Sequence, residues 1–328
     1  MGEFSGEIKK IFFKGEKMIL GTVIKGVGGL YTVRLDNEYN GEKYVKVRGR
    51  GAFRHEKIIL LTGDRVELEC QKENEFFCKS ILERKNSLIR PPLANLDVIF
   101  AVIPCVKPQP DLQIVDKMIA ICEHNKIEPV IVITKSDLDK EFADKIYTTY
   151  KKCGFECFIT SSESHEGVDK IYDYIKEASK KEAPLCAFAG VSGAGKSTLL
   201  NAIFPNLQLE TGELSQKIER GKNTTRHTEL FPYAEIIGNE HNGYLADTPG
   251  FSLLDFERFD FFNLDELFDT FREFEKSRGE CRYTKCSHTK EDGCDIIRRV
   301  KEGDIPKSRH KSYLALYEVL KKKPTWKK

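Results

Sequence analysis

Residues 190–197, Gly-Val-Ser-Gly-Ala-Gly-Lys-Ser, fit the pattern G-x-x-x-x-G-K-[ST] in full. These residue types suit phosphate chemistry. Gly193 and Gly195 let successive backbone N–H groups turn toward an anion, and the helix that follows adds the positive end of its dipole. Lys196 would supply a point charge to the β- and γ-phosphates, and the Ser197 hydroxyl would ligate Mg²⁺. The expected phosphate cradle is Gly190, Val191, Ser192, Gly193, Ala194, Gly195, Lys196, Ser197 and Thr198.

Three further strings bear on which nucleotide. Asp247-Thr-Pro-Gly250 reads as D-x-x-G, with Asp247 reaching Mg²⁺ through water and the Gly250 N–H meeting a γ-phosphate. Upstream, Thr134-Lys135-Ser136-Asp137 resembles the base-recognition string N-K-x-D, and Thr160-Ser161-Ser162 resembles the serine loop that accompanies it. A carboxylate at Asp137 can accept from both N1–H and the exocyclic amine of guanine. Adenine lacks that pair of donors, so a carboxylate buried against it would stay unpaired. Thr134 stands where Asn is usual, so a hydrogen bond from this loop to the phosphate loop is expected to be altered, at a cost in affinity. The order is base loop, serine loop, P-loop, D-x-x-G, where a Ras-like GTPase begins with the P-loop. One cut and rejoin relates the two, which closely spaced termini permit. ATP-driven chemistry is the weaker alternative.

Cys281-x₄-Cys286-x-His288-x₅-Cys294 offers three thiolates and one imidazole, the donor set of a closed, structural tetrahedral Zn²⁺ site. The other seven of the ten cysteines are scattered among apolar residues. With no signal-peptide pattern in residues 1–17, they argue for free thiols in a reducing cytoplasm rather than for a disulfide framework.

The elements that must position these residues change character along the chain. Residues 19–82 read as five or so short strands with turn signals and no helical period, including a segment at 57–61. A small closed barrel of the OB type is expected, with an SH3-like barrel as the alternative. From residue 97 to 189, apolar runs alternate with helical spacing, so a parallel sheet covered by helices should carry the nucleotide strings. From residue 265 the chain reads as helices interrupted by the cysteine cluster. The division is 1–84, 85–255 and 256–328. Lys43, Lys46, Arg48, Arg50, Arg54 and Lys57, with Tyr44 and Phe53 among them, suit RNA, and the tail 321–328 is a second basic patch. The 53 basic and 51 acidic residues nearly cancel, so net charge nominates no partner, and no apolar run approaches the roughly 18 residues of a membrane span.

A barrel, a permuted GTPase and a Cys/His knuckle, in that order, resemble the bacterial small-subunit-dependent GTPases of the RsgA/YjeQ type. The resemblance runs from about Met18 to the end, carried by 48–54 (Arg-Gly-Arg-Gly-Ala-Phe-Arg), 190–197, 221–226 (Gly-Lys-Asn-Thr-Thr-Arg), 247–250 and the cysteine cluster. It implies a monomeric cytoplasmic enzyme that binds the small (30S) ribosomal subunit and its rRNA late in maturation. It also implies hydrolysis of GTP to GDP and phosphate, stimulated by the subunit. Thr224-Thr225 resembles switch I, with Thr225 a Mg²⁺ ligand in the GTP state, and the catalytic set is Lys196, Thr225 and Asn223. Asn223 departs from the family's usual histidine and cannot act as an acid or base near neutral pH. Phe251 stands where Ras-like enzymes carry a water-orienting glutamine, and His227 is a further candidate for that task. These departures keep open a GTP-gated RNA binder with incidental hydrolysis.

Overall fold

The computed structural model describes residues 18–49, 59–72, 75–89, 91–207, 228–247 and 261–323. Five strands come first: β1 (Ile19–Val27), β2 (Leu30–Tyr39), β3 (Glu42–Gly49), β4 (Arg65–Lys72) and β5 (Glu75–Ile81). They pair in the order β1-β2-β3-β5-β4, and β4 returns to β1, which closes a barrel. The β3–β5 pair is parallel. This closure is that of the OB-like barrel and decides against the SH3-like alternative. Val23, Val33, Val45, Val47, Val66, Leu68 and Phe76 fill the interior, the inward half of each strand's two-residue alternation. The strand expected at 57–61 does not form over 59–61, which carries no regular structure before the Thr62–Leu93 bridge.

A small hairpin, β6 (Ser87–Leu88) and β7 (Leu93–Ala94), leads into the α/β unit. There the chain runs β8 (Val98–Pro104), α1 (Leu112–His124), β9 (Glu128–Thr134), α2 (Lys140–Lys152), β10 (Glu156–Ile159), α3 (Val168–Lys181), β11 (Leu185–Ala189) and α4 (Lys196–Ile203). After these come β12 (Glu229–Pro232), the short α5 (Tyr233–Ile236) and β13 (Tyr244–Asp247). Asp111 and Asp139 cap α1 and α2, accepting from Gln113 N and Phe142 N, which fixes where each helix starts.

The sheet order is β10-β9-β8-β11-β13-β12, parallel except for β12. Strands β8, β9 and β11 are buried on both faces, so they read as continuous apolar runs. Ile99, Ala101 and Ile103 of β8 face one core with α1, α2 and the C-terminal segment. Val98, Phe100 and Val102 face the other, with α3 and α4. The chain travels outward from β8 to β10 and then returns to β11 on the other side of β8. Brändén's rule places a ligand at such a reversal, outside the carboxyl ends of the strands.

The barrel joins this sheet. Strand β1 pairs antiparallel with β12, Lys25 opposite Glu229, so a single eleven-stranded sheet runs through both units. Val23 belongs to the barrel core and Ile24 to the α/β core. Lys25 Nζ lies 2.6 Å from Glu229 Oε2.

Past β13, the described chain resumes at residue 261 with 3₁₀ turns at Leu264–Glu266, Phe268–Thr270 and Arg272–Ser277. Helices α6 (Asp295–Glu302) and α7 (Lys307–Lys321) follow the cysteine cluster. The helices read from residue 265 are thus 3₁₀ in the earlier part of this segment, and α-helix is confined to its later part. Among the described residues no helix is long and apolar enough to cross a membrane.

Candidate nucleotide site and metal centre

Four loops and the end of a fifth strand meet at the carboxyl edge of the sheet. Strand β11 delivers residues 190–195, β9 delivers 134–137, β10 delivers 160–162, β13 ends on Asp247, and β8 leads into 105–111. In the first of these, Gly193 (φ 78°) and Gly195 (φ 92°) adopt left-handed backbone, open to glycine at no steric cost. A Cβ on Gly190 would stand 2.6 Å from the Val102 carbonyl oxygen, so this glycine is what lets the loop leave the sheet beside β8. Lys196 Nζ donates to the Gly190 and Val191 carbonyls at 2.7 and 3.0 Å. Burial lowers the Lys196 pKa, while nearby Asp247 works in the opposite direction.

The base loop is tied directly to the phosphate loop. Thr134 Oγ1 donates to the Ala194 carbonyl at 2.7 Å. Lys135, itself in left-handed backbone (φ 60°), donates through Nζ to Gly193 O at 2.9 Å. The bond expected to be altered at Thr134 is made here by a buried β-branched hydroxyl in place of an amide. Ser136 N donates to Thr160 O at 3.2 Å, joining the base loop to the serine loop. Ser161 is buried, and its Oγ accepts from Ser164 N at 3.2 Å, while Ser162 is half-buried. Asp137 is exposed, so burial of its carboxylate has to come from the base it would meet.

Thr134→Val keeps the shape and removes only the donor. A hydrogen bond of roughly 1 kcal/mol net corresponds to about a fivefold faster release of bound GDP. Stopped-flow release of a fluorescent GDP checks this, and an unchanged rate would deny the tie any role.

Lys135 Nζ has a second acceptor, Lys107 O, at 2.5 Å. The 105–111 loop was not among the sequence candidates. Its signal was positional: it leaves a buried strand beside the reversal point. Asn223, Thr224, Thr225, His227, Gly250 and Phe251 lie outside the described residues.

The cysteine cluster is assembled. One ligand atom from each of Cys281, Cys286, His288 and Cys294 lies within 4.8 Å of the others. Cys281 Sγ and Cys294 Sγ stand 3.6 and 3.5 Å from His288 Nδ1 and 4.0 Å from each other. Tetrahedral Zn–S bonds of about 2.3 Å would place two sulfurs about 3.8 Å apart, so donor chemistry and spacing both fit one soft metal ion. The surrounding groups hold the ligands in place. Glu291 accepts from the backbone N–H of Ser287, Thr289 and Lys290. Burial pushes its pKa up, but hydrogen bonds from Ser287 and from the backbone outweigh this and hold it at about 2. His310 Nε2 meets His288 O at 2.8 Å, and Tyr313 donates to Ser287 O at 3.1 Å.

On the barrel, Lys46 and Arg48 are exposed on one face of β3. Tyr44, on the same face, is engaged elsewhere: its hydroxyl donates to Glu235 at the junction with the α/β unit. Arg50, Phe53, Arg54, Lys57 and residues 324–328 lie outside the described residues.

Residues 81–257 match the family model described as RsgA GTPase, and residues 20–77 match the RsgA N-terminal domain. The chain belongs to the RsgA GTPase family. A relative from Caldanaerobacter subterraneus subsp. tengcongensis, named small ribosomal subunit biogenesis GTPase RsgA, is 38% identical over 306 residues. The match spans 93% of this chain and 97% of that one. The protein of that name from Bacillus subtilis is 36% identical, with 93% and 99% covered. Among solved structures, YjeQ from Thermotoga maritima superposes with a TM-score of 0.74 at 27% identity, covering 94% of this chain and 100% of that one. YloQ, described as a circularly permuted GTPase, gives 0.72 at 32% identity, with 94% and 98% covered. As an RsgA GTPase the chain is a GTP-hydrolysing enzyme, and its motif order is the permuted one.

Proposed function

We propose that this RsgA GTPase hydrolyses GTP to GDP and phosphate during late maturation of the small ribosomal subunit in the cytoplasm. It acts as a monomer whose turnover rises on the subunit and whose barrel and zinc module hold rRNA. The observation that carries the nucleotide reading is the direct bonding of base loop to phosphate loop, Thr134 to Ala194 O and Lys135 to Gly193 O. It supports a reading in which Asp137 and the phosphate cradle are held at one separation, as a guanosine triphosphate requires. The names of the relatives support the ribosomal role.

In this reading Asp137 accepts from the guanine edge, Lys135 covers the base, and Ser161 and Ser162 line its far side. Lys196 leaves its carbonyl partners for the β- and γ-phosphates, and the Gly250 N–H meets the γ-phosphate. Ser197, Thr225 and Asp247 would hold Mg²⁺, which supplies charge neutralisation on the phosphates. With Phe251 after Gly250, the chain's own site orients water poorly, so intrinsic turnover is low. Cys281, Cys286, His288 and Cys294 would hold one structural Zn²⁺. All four positions come from protein, so that ion has no catalytic water.

GTP turnover by the purified protein, alone and with purified 30S or 50S subunits, tests the proposal. Strong stimulation by 30S alone, lost in Lys196→Ala, is the expected result. Tight GTP binding with slow turnover in every mixture would replace the enzyme reading with that of a GTP-gated RNA binder.

A further inference from the structure

The bulkiest fully buried side chain among the described residues is an arginine. Arg309, on α7, enters the α/β unit between α1 and α2. Its Nη1 lies 2.6 Å from Asp116 Oδ1 on α1, and its Nε lies 2.7 Å from Glu273 Oε1. Tyr150 of α2 and Ser312 of α7 complete the Asp116 carboxylate at 2.9 and 2.5 Å. The guanidinium carbon lies 4.7 Å from the Phe271 ring centroid and 5.4 Å from that of Phe155. Seven residues after Asp116, on the same helical face, Glu123 meets Arg272 Nε at 2.5 Å. Both grips on this face of α1 therefore come from the segment that carries the cysteine cluster.

On the opposite face of α1, Ile114 and Met118 look toward Val102, Gly190 and Val191 across a cavity of only about 20 Å³. Met118 is buried in the shared core there, and the ion network holds the helix from the other side. A buried ion network is a poor source of stability, since desolvation offsets the attraction, but it does demand one geometry. Helix α1 continues from the 105–111 loop, whose Lys107 O accepts from Lys135. Pro108 of that loop would lie 3.4 Å from a Cβ on Gly193. Moving α1 moves the brace that presses Lys135 against the phosphate loop.

We propose that Arg309 is a positioning residue for the guanine-nucleotide site, acting through α1 on the loop that braces Lys135. The C-terminal module is thereby part of the nucleotide pocket's support, and a partner gripping that module reaches the pocket through the same helix. The proposal rests on the nucleotide reading of the site.

The test is release of fluorescent GDP from the full-length, metal-loaded protein. Arg309→Met and the isosteric Asp116→Asn are each expected to speed release by roughly three- to thirtyfold, with kcat for basal GTP turnover within about twofold. Combined with Thr134→Val, either should give less than the product of the separate effects, because all act on one brace. Val33→Ala, in the barrel core, is the comparison for a matched loss of Tm and should leave release unchanged. If Arg309→Met does not fold, Asp116→Asn decides. Release no faster than in Val33→Ala, or effects that multiply independently with Thr134→Val, would overturn the proposal. A wild-type protein that retains no GDP would instead sink the nucleotide reading beneath it.

Discussion

Asp137→Asn is expected to lower the affinity for GTP on the order of a hundredfold or more and to make XTP the better substrate. Guanine presents two donors at its N1 and C2 positions, which one carboxylate can accept together. Xanthine presents a carbonyl at C2, so the amide of Asn can donate there while its oxygen still accepts from N1–H. A site built to satisfy a substrate's hydrogen bonds rejects an analogue lacking them by about 10⁴- to 10⁵-fold; an exposed residue such as Asp137 should show the lower part of such effects. Turnover with GTP, XTP and ATP in competition checks this. An unchanged preference for GTP would remove Asp137 from base recognition, and equal competition by ATP against the wild type would reopen the ATP reading.

Stripping the metal should have the second large effect. The segment 261–323 is built from 3₁₀ turns, two helices and the ring cluster of Phe271, Phe274, His288 and Tyr313. Phe271, Phe274 and Tyr313 pack into the core shared with the α/β unit rather than into one of their own, whereas structural zinc in small peptides supplies about 10–16 kcal/mol. A strong chelator, or Cys286→Ala, is therefore expected to unfold the module and open it to protease. Because Arg309 and Arg272 are seated on α1, the α/β unit should melt at a lower temperature as well. Metal analysis should return one zinc per chain. A zinc-free protein with an intact module would contradict the assignment.

The site was legible in the sequence wherever its chemistry sits in contiguous strings. The phosphate loop, base loop, serine loop and cysteine cluster each require particular residue types at short fixed spacings, and the first three follow buried strands whose apolar runs are unmistakable. What escaped notice depends on contacts between distant residues. Arg309 lies in Lys-Ser-Arg-His-Lys, which reads as a solvated face, and only the fold reveals the acidic pocket that swallows it. Strand β12 has four residues ending in Pro232, too short for a periodic signal. Leu264, Leu267, Phe271 and Phe274 repeat at helical spacing, yet 3₁₀ helix shares the three-residue interval, so the spacing does not separate it from α-helix.

The pairing of β1 with β12 has a consequence for solubility. A parallel sheet ordinarily ends in strands whose outward N–H and C=O groups can recruit a strand from another molecule. Here one rim of the GTPase sheet is capped by the barrel, and the barrel in turn has no free rim because β4 closes on β1. Cutting the barrel away would bare β12 at Glu229, where β1 pairs with it. The barrel guards this rim of the GTPase sheet against strand exchange and clumping, so it is not a part that can be trimmed at no cost.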